Sequence, residues 1–415
     1  MRFLHTSDWH IGQTFYDFDR HQEHKSFLDW LNETLKNKQI DVLLVAGDIF
    51  DTANPSGSSI TLFYSFLSQI TNNYPNLQVV IIAGNHDSAI RLEMPIPLLQ
   101  NTKVSIIGSV KKREDKSIDY DALTIPLFNS NNEIEVFCLA IPFLRIGDYP
   151  KTEEGNYEYN YGVSKFYAEA FKNINSKKTA NQSVIAMGHL HAMGVETDPE
   201  DTAERPIIGG VENINTSSFP TDLKYVALGH IHKPQRLSAN DSIRYSGSPI
   251  PLSFSEKTYK HQVVVFEINN GNFEHLEIIE IPIHTPLLSV PKQNKILEEV
   301  FFELENLPLK DENDKNQPYL EVKVLLNEPI PDLKNRIQEI VQTKNVRLAR
   351  IDTKFPKINA KTNETELQNE IELHDLQPIH VLNRIYSEKY NEEIPNELDV
   401  LFEDVLTELN HDNQN

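Results

Sequence analysis

Apolar residues recur with two different periods along the first half of the chain. In His21–Lys36 they fall at Phe27, Leu28, Leu31 and Leu35, the spacing of an amphipathic helix, and Ser58–Ile70 reads as a second helix. Arg2–Thr6, Asp41–Ala46 and Leu77–Ala83 are short and almost continuously apolar, as strands buried on both faces are. Further strands are predicted at Val136–Ile141, Ser183–Met187, Tyr225–Leu228, His261–Ile268 and Glu274–Ile281. The early alternation predicts a layered α/β core. The later strands, read without helices between them, predict a second sheet packed on the first, the whole spanning residues 1–282.

The pattern changes around Ile281–Pro286. A strand at Leu287–Val290, a helix at Asn294–Leu304, a polar loop at Pro308–Pro318, a strand at Tyr319–Leu326, a helix at Pro331–Gln342 and a strand at Val346–Ile351 make a small β-α-β-α-β unit over 283–355. Residues 356–371 read as a polar linker. Two amphipathic helices follow in 372–415, one over Pro378–Tyr390 with Ile379, Leu382, Ile385 and Tyr386, the other over Asn396–Leu409 with Leu398, Leu401, Phe402, Val405 and Leu409. The chain shows no internal repeat.

Composition narrows this picture. With 39% hydrophobic residues in 415, the chain is globular and long enough for two or three domains. Cys138, the single cysteine, rules out an internal disulfide and a thiolate metal site, which fits a reducing cytoplasm. Asp8, His10 and Gln13 interrupt the apolar run a signal peptide needs, and no stretch is long enough to span a membrane. The net charge of −22 argues against a generally nucleic-acid-binding surface, but it is unevenly spread. From Glu364 onward there are 14 acidic and 2 basic residues, net −12, whereas Lys334–Lys361 has 8 basic and 2 acidic, net +6. Contact with DNA, if made, is therefore local.

Five segments carry candidate chemistry: Asp8-Trp-His10, Gly47-Asp48, Gly84-Asn-His-Asp87, Gly188-His-Leu-His191 and Gly229-His-Ile-His232. Each follows a predicted strand and so lies at its C-terminal end, where open α/β sheets bind ligands. Singly, each reads as a turn, a helix cap or a solvated histidine pair. Five clusters built only from Asp, Asn and His at five strand ends read jointly as a metal site. Phosphodiester hydrolysis must stabilise charge on both the attacking and leaving oxygens, which two cations about 3.5–4 Å apart can do while activating water. Holding them that close takes a bridging anion, for which a carboxylate is the obvious group, and mixed imidazole and oxygen ligands suit manganese, iron or zinc better than calcium.

The ordered string Asp-x-His, Gly-Asp, Gly-Asn-His-Asp, Gly-His and Gly-His-x-His resembles the calcineurin-like metallophosphoesterase family. Within it, His5–Gln13, Val45–Thr52, Ala227–His232 and Tyr245–Phe254 resemble the SbcD family, the nuclease subunits of bacterial SbcCD complexes. The resemblance implies a four-layer core of two packed mixed sheets flanked by helices. It implies Asp8, His10 and His232 on one metal, Asn85, His189 and His230 on the other, and Asp48 bridging them. His86 would act on the leaving oxygen, with Asp87 orienting it or capping the next helix. Two divalent ions are implied, manganese first and magnesium as a poorer substitute. His191 is a second histidine that the family pattern does not require, and it reads as a neighbour of the site. His5 and His21 read as structural or surface groups.

The resemblance further implies that 283–355 is a DNA-binding cap and that the 372–415 helix pair docks on an SbcC-type ATPase. The assembly would be a heterotetramer of two nuclease and two ATPase subunits, with nuclease cores dimerising through helices of the first domain. The implied activities are ATP-dependent double-strand exonuclease and single-strand or hairpin endonuclease in DNA repair and recombination. The chain has no Gly-x-x-x-x-Gly-Lys-Ser/Thr loop, so ATP is expected on the partner. Two rivals remain. One is a small-molecule or protein phosphatase on the same core, which would not need the last 130 or so residues. The other is an inert DNA-end scaffold, which would not need every ligand intact.

Overall fold

The computed structural model describes residues 1–355 apart from 156–157, 193–213, 312–313 and 315, and beyond them Leu398. The linker and terminal helix pair expected after residue 355 lie outside the described residues. Residues 1–355 form one compact unit.

The chain begins with β1 (Arg2–Thr6), a short hairpin β2 (Thr14–Phe15) and β3 (Phe18–Asp19), then α1 (His21–Asn37), β4 (Val42–Ala46), α2 (Gly57–Asn73), β5 (Gln78–Ile82), α3 (Ala89–Glu93) and β6 (Val104–Ile107). It continues through β7 (Thr124–Phe128), β8 (Ile134–Ala140), α4 (Tyr159–Asn175), β9 (Ser183–His189), β10 (Val226–Gly229), β11 (Gln235–Leu237), β12 (Asn240–Tyr245), β13 (Gln262–Asn269) and β14 (Asn272–Glu280). The last elements are β15 (Leu287–Lys295), α5 (Leu297–Glu305), β16 (Tyr319–Leu325), α6 (Leu333–Val341) and β17 (Arg347–Lys354).

Two six-stranded mixed sheets form the core, in the orders β14-β13-β1-β4-β5-β6 and β11-β12-β10-β9-β8-β7. In the first, β1, β4, β5 and β6 are parallel and β13 runs antiparallel to β1. Their inner faces close one hydrophobic layer with Leu44, Ala46, Val80, Ile185, Met187, Ala227 and Phe266. Tyr225, just before β10, stacks on Phe266 of β13 with centroids 3.8 Å apart, joining the sheets. The outer faces are covered by α1 and α2 on one side, where Phe27, Leu31, Phe63 and Phe66 surround Trp9, and by α4 on the other. This is the four-layer α/β architecture expected from the sequence.

One expectation is corrected. The later strands do have a helix between them: α4 separates β8 from β9, which pair in parallel. Its buried positions Tyr159, Val163, Phe166, Tyr167, Ala170 and Ile174 keep helical spacing, but Gly162 and the β-branched and aromatic residues around it lower helix propensity and mask the period. A second difference is that β15 runs on to Lys295, so α5 starts at Leu297 and not at Asn294.

The sheet β15-β16-β17 is all parallel, is backed by α5 and α6, and has its own core of Val300, Leu304, Leu320, Val322, Ile337 and Val341. It rests on the two-sheet core through the β2–β3 hairpin, where Phe15 packs with Phe254 and Tyr319.

Candidate metal centre

The ligand segments sit where expected, at the carboxyl edge of the central strands of both sheets. Asp8 and His10 follow β1, Asp48 follows β4 and Asn85 follows β5; His189 ends β9, and His230 and His232 follow β10. The backbone there is bent in a way the sheets must enforce. Asp8, His10, Asp48 and His230 all have positive φ, at 54°, 45°, 50° and 97°, a region that costs a non-glycine residue about 1–2 kcal/mol. Hydrogen bonds across the sheet hold the bends, with Asp8 N–H on the Gly47 carbonyl and His10 N–H on that of Asp48, both at 3.0 Å. Close approach explains two glycines. A Cβ on Gly84 would lie 2.1 Å from Asp48 Oδ1, and one on Gly229 would lie 1.9 Å from the Ala46 carbonyl oxygen.

The sequence-predicted ligands converge. Ligand atoms of Asp8, His10 and His232 lie within 4.8 Å of one another, and so do those of Asp8, Asp48 and His189. Asn85 Oδ1 is 2.9 Å from His189 Nε2 and 3.1 Å from His230 Nδ1. Asp48 Oδ2 stands between the halves, 3.5 Å from His10 Nε2 and 3.4 Å from His189 Nε2. Its Oδ1 accepts from the His86 amide at 2.9 Å.

Three of the histidines share one construction. Each gives Nδ1 to an oxygen behind it and keeps Nε2 for the site: His10 on Asp51 Oδ1 at 3.3 Å, His189 on the Ala46 carbonyl at 2.9 Å, His232 on Glu256 Oε1 at 3.0 Å. Such outer partners fix the tautomer and the ring plane of a metal-binding imidazole. His230 differs, turning Nδ1 toward Asn85. The donor set therefore fits divalent metal. It is imidazole and oxygen, almost wholly buried, and His10 Nε2 is enclosed with no hydrogen-bond partner among the described residues. In water-free surroundings such an atom is costly unless something binds it.

The electrostatics agree. Burial would raise the Asp48 carboxyl, but the imidazoles of His189, His10 and His86 hold it well below the ordinary range. Burial would lower His189, yet the Asp48 and Asp8 carboxylates bring it up to about 9. His230 is driven well below its ordinary value by burial and by His189.

His86 is half-buried at the edge of the cluster, with a ligand atom within 4.8 Å of those of His10 and Asp48 and Nδ1 2.7 Å from the Asp51 carbonyl. Asp87 sits differently from either role expected of it. Its carboxylate is buried and accepts the backbone N–H groups of Ile49, Phe50 and Gly84 at 2.9–3.1 Å, clamping the Asp48 loop to the Asn85 loop. The His86 ring meets the Asp51 carbonyl through Nδ1, and α3 begins after Ser88 without a side-chain cap. His191 lies with its ring 6.2 Å from that of His230. His5 is fully buried against Tyr225, and His21 opens α1. Sequence reasoning missed Asp51 and Glu256. Asp51 was findable three residues after Asp48 in the same loop, whereas Glu256 is brought to His232 only by the fold. Of the basic stretch, Arg347 lies over the rings of Tyr319 and Phe18, and Lys344 is buried on the carbonyls of Glu305 and Leu307. Arg350 is beside Glu321 and Asp352. Among the described residues, no helix is long and apolar enough to cross a membrane.

Residues 1–234 match the calcineurin-like phosphoesterase family, and residues 284–390 match a family described as the type 5 capsule protein repressor C-terminal domain. The chain is 36% identical to the SbcD subunit of the SbcCD nuclease of Rhodobacter capsulatus over 84% of its own length and 86% of that protein. It is 30% identical to the SbcD subunit of Escherichia coli K12, covering 83% and 82%, and 33% identical to that of Bacillus subtilis, covering 72% and 74%. The chain belongs to the SbcD family of calcineurin-like phosphoesterases, the D component of SbcCD nucleases.

Proposed function

We propose that this chain is a two-metal DNA phosphodiesterase working with an SbcC-type ATPase, in the cytoplasm, on DNA ends and hairpins. The observation that carries the reading is the buried cluster in which His10 and His189 turn Nε2 to the Asp48 carboxylate between them, with Asp8 and His232 grouped beside His10. Asp8, His10 and His232 would hold one ion and Asn85, His189 and His230 the other; the donor set suits manganese, iron or zinc, and the family resemblance favours manganese. Such a pair, when bound, neutralises the scissile phosphate and activates water at neutral pH. The remaining chemistry belongs to the chain. With Nδ1 of His86 on the Asp51 carbonyl, its reacting nitrogen is Nε2, which delivers a proton to the leaving oxygen. Asp87 takes no part in proton transfer and holds the two loops together.

The similarity to SbcCD nucleases over more than four-fifths of the chain favours DNA over a small phosphoester as substrate. The parallel β15-β16-β17 unit would contact the DNA backbone as a cap, and residues 372–415 would dock on the ATPase, two copies of each chain forming the assembly. For the nuclease dimer we favour the α2–α3 face. There Ile90, Met94 and Leu98 are 82%, 69% and 86% exposed beside an apolar cavity of about 580 Å³ lined by Tyr64, Leu67 and Leu99.

The test is manganese-dependent cleavage of a labelled hairpin DNA by wild type and His86→Asn, with the ATPase partner and ATP. Cleavage by the wild type and its loss in the variant at unchanged metal content supports the reading. No cleavage at full metal occupancy refutes it.

A further inference from the structure

His232 reaches the metal centre from the loop after β10, and its outer nitrogen meets a residue from a distant segment. Glu256, fully buried, belongs to the short 3-10 turn Phe254–Thr258 and puts Oε1 3.0 Å from His232 Nδ1. Its Oε2 accepts the Leu252 N–H at 2.9 Å and the Ser248 hydroxyl at 3.0 Å. A buried carboxylate is costly unless donors converge on it, and three do so here. The residue type follows from those donors. The Leu252 amide can only donate, so Oε2 must accept, and an imidazole that is to bind metal through Nε2 must donate Nδ1–H to Oε1. Glutamine has a single carbonyl oxygen and would set its NH2 against one of these donors. Only a carboxylate accepts at both ends.

The turn is also tied to the smaller sheet. Lys257, the next residue, donates to Ser289 Oγ on β15 at 2.8 Å, and that hydroxyl donates to Glu321 Oε2 on β16 at 2.8 Å. Adjacent residues of one turn thus hold a metal ligand on one side and the three-stranded unit on the other.

We infer that Glu256 is a positioning residue that fixes the tautomer and ring plane of His232, and that it selectively sets the affinity for the ion shared by Asp8, His10 and His232. The inference rests on the metal-centre reading above and concerns metal affinity, which can be measured without turnover. Carboxylates behind a metal-binding histidine raise its affinity by about 10–100-fold.

The experiment is calorimetric titration of the metal-stripped, full-length chain with Mn2+ alone, for wild type, Glu256→Gln and Ser248→Ala, with thermal midpoints of each stripped protein. The wild type takes up two ions. Glu256→Gln keeps one at wild-type affinity and binds the other about 10–100-fold more weakly. Ser248→Ala removes one donor to Oε2 and weakens the same ion by about two- to tenfold, which keeps the test open if the glutamine variant fails to fold. Two ions at wild-type affinity in both variants would overturn the inference. So would equal weakening of both ions alongside a lowered midpoint, the mark of a merely structural residue. A wild type that binds no Mn2+ overturns the metal centre itself, a different result.

Discussion

Metal uptake should release a proton, and the structure gives its source. In the metal-free chain His189 titrates at about 9, because the Asp48 and Asp8 carboxylates outweigh the burial that opposes its charge. At pH 7.5 a group of that pKa is ~97% protonated, and it must lose the proton before Nε2 can bind an ion. Uptake at pH 7.5 therefore releases about one proton per chain. Apparent affinity for the ion His189 binds then falls roughly 25-fold from pH 8.5 to pH 7.0. The same ion pair stabilises the metal-free fold. A folded pKa raised from 6.5 to about 9 contributes stability that is fully present below pH 6.5 and lost as pH rises through 9. That is about 3 kcal/mol at pH 6 or below and about 2 kcal/mol at pH 7.5. The assay is Mn2+ calorimetry at pH 7.5 in two buffers of different ionisation heat, repeated across pH 7.0–8.5. Heats that do not depend on the buffer, with affinity flat across that range, would show that His189 is neutral before metal binds and would refute the reasoning.

Three other outcomes follow from particular contacts. Gly84→Ala pushes a methyl against Asp48 Oδ1 and the Asp48 amide, so Mn2+ binding at both sites should weaken by more than about tenfold, and wild-type calorimetry for the variant would contradict the packing. Tyr319→Phe removes the hydroxyl that donates to Glu23 Oε1 at 2.7 Å within the buried Arg20–Glu23 pair, and urea unfolding should show a loss of about 1.5–3 kcal/mol. His24 is pushed down to about 3 by burial and by Arg20, so its contribution is lost as pH falls below 6.5, and His24→Gln should lose about 2 kcal/mol less than the wild type between pH 7 and pH 5 by denaturant titration.

How much of this was legible in the sequence depended on how local the signal was. The strands β1, β4 and β5 are uninterrupted apolar runs, because each is covered on both faces, and they read directly. The placement of the five polar segments at strand ends read equally well, since each spans no more than four residues. What failed was non-local or ambiguous. Helix α4 has the right period but unfavourable propensities, and its identity is decided by packing on the second sheet. Asp87 looked chemical because it follows His86, yet its three donors come from backbone as far as 38 residues away. A basic run such as Lys334–Lys361 shows charge but not where charge is committed. Arg347 and Lys344 are engaged by aromatic rings and carbonyls that only the fold brings near.

The strained ligand backbone explains why so much of the molecule serves this edge. Four of the candidate ligand residues hold positive φ, an unfavourable total of up to roughly 4–8 kcal/mol. Loops carrying such strain would relax if they were merely tethered at strand ends. They are held instead by cross-loop contacts: Asp87 on three amides, Asp8 Oδ1 on the His230 N–H at 2.8 Å, and Ser7 between Asp8 and Ser246. Asp87 thereby joins the loops after β4 and β5, while the Asp8–His230 and Ser7–Ser246 contacts join the first sheet to segments that follow strands of the second. The two-sheet core is thus what keeps the seven candidate ligands in place. A variant that loosens the sheets against each other should lose metal before it loses secondary structure.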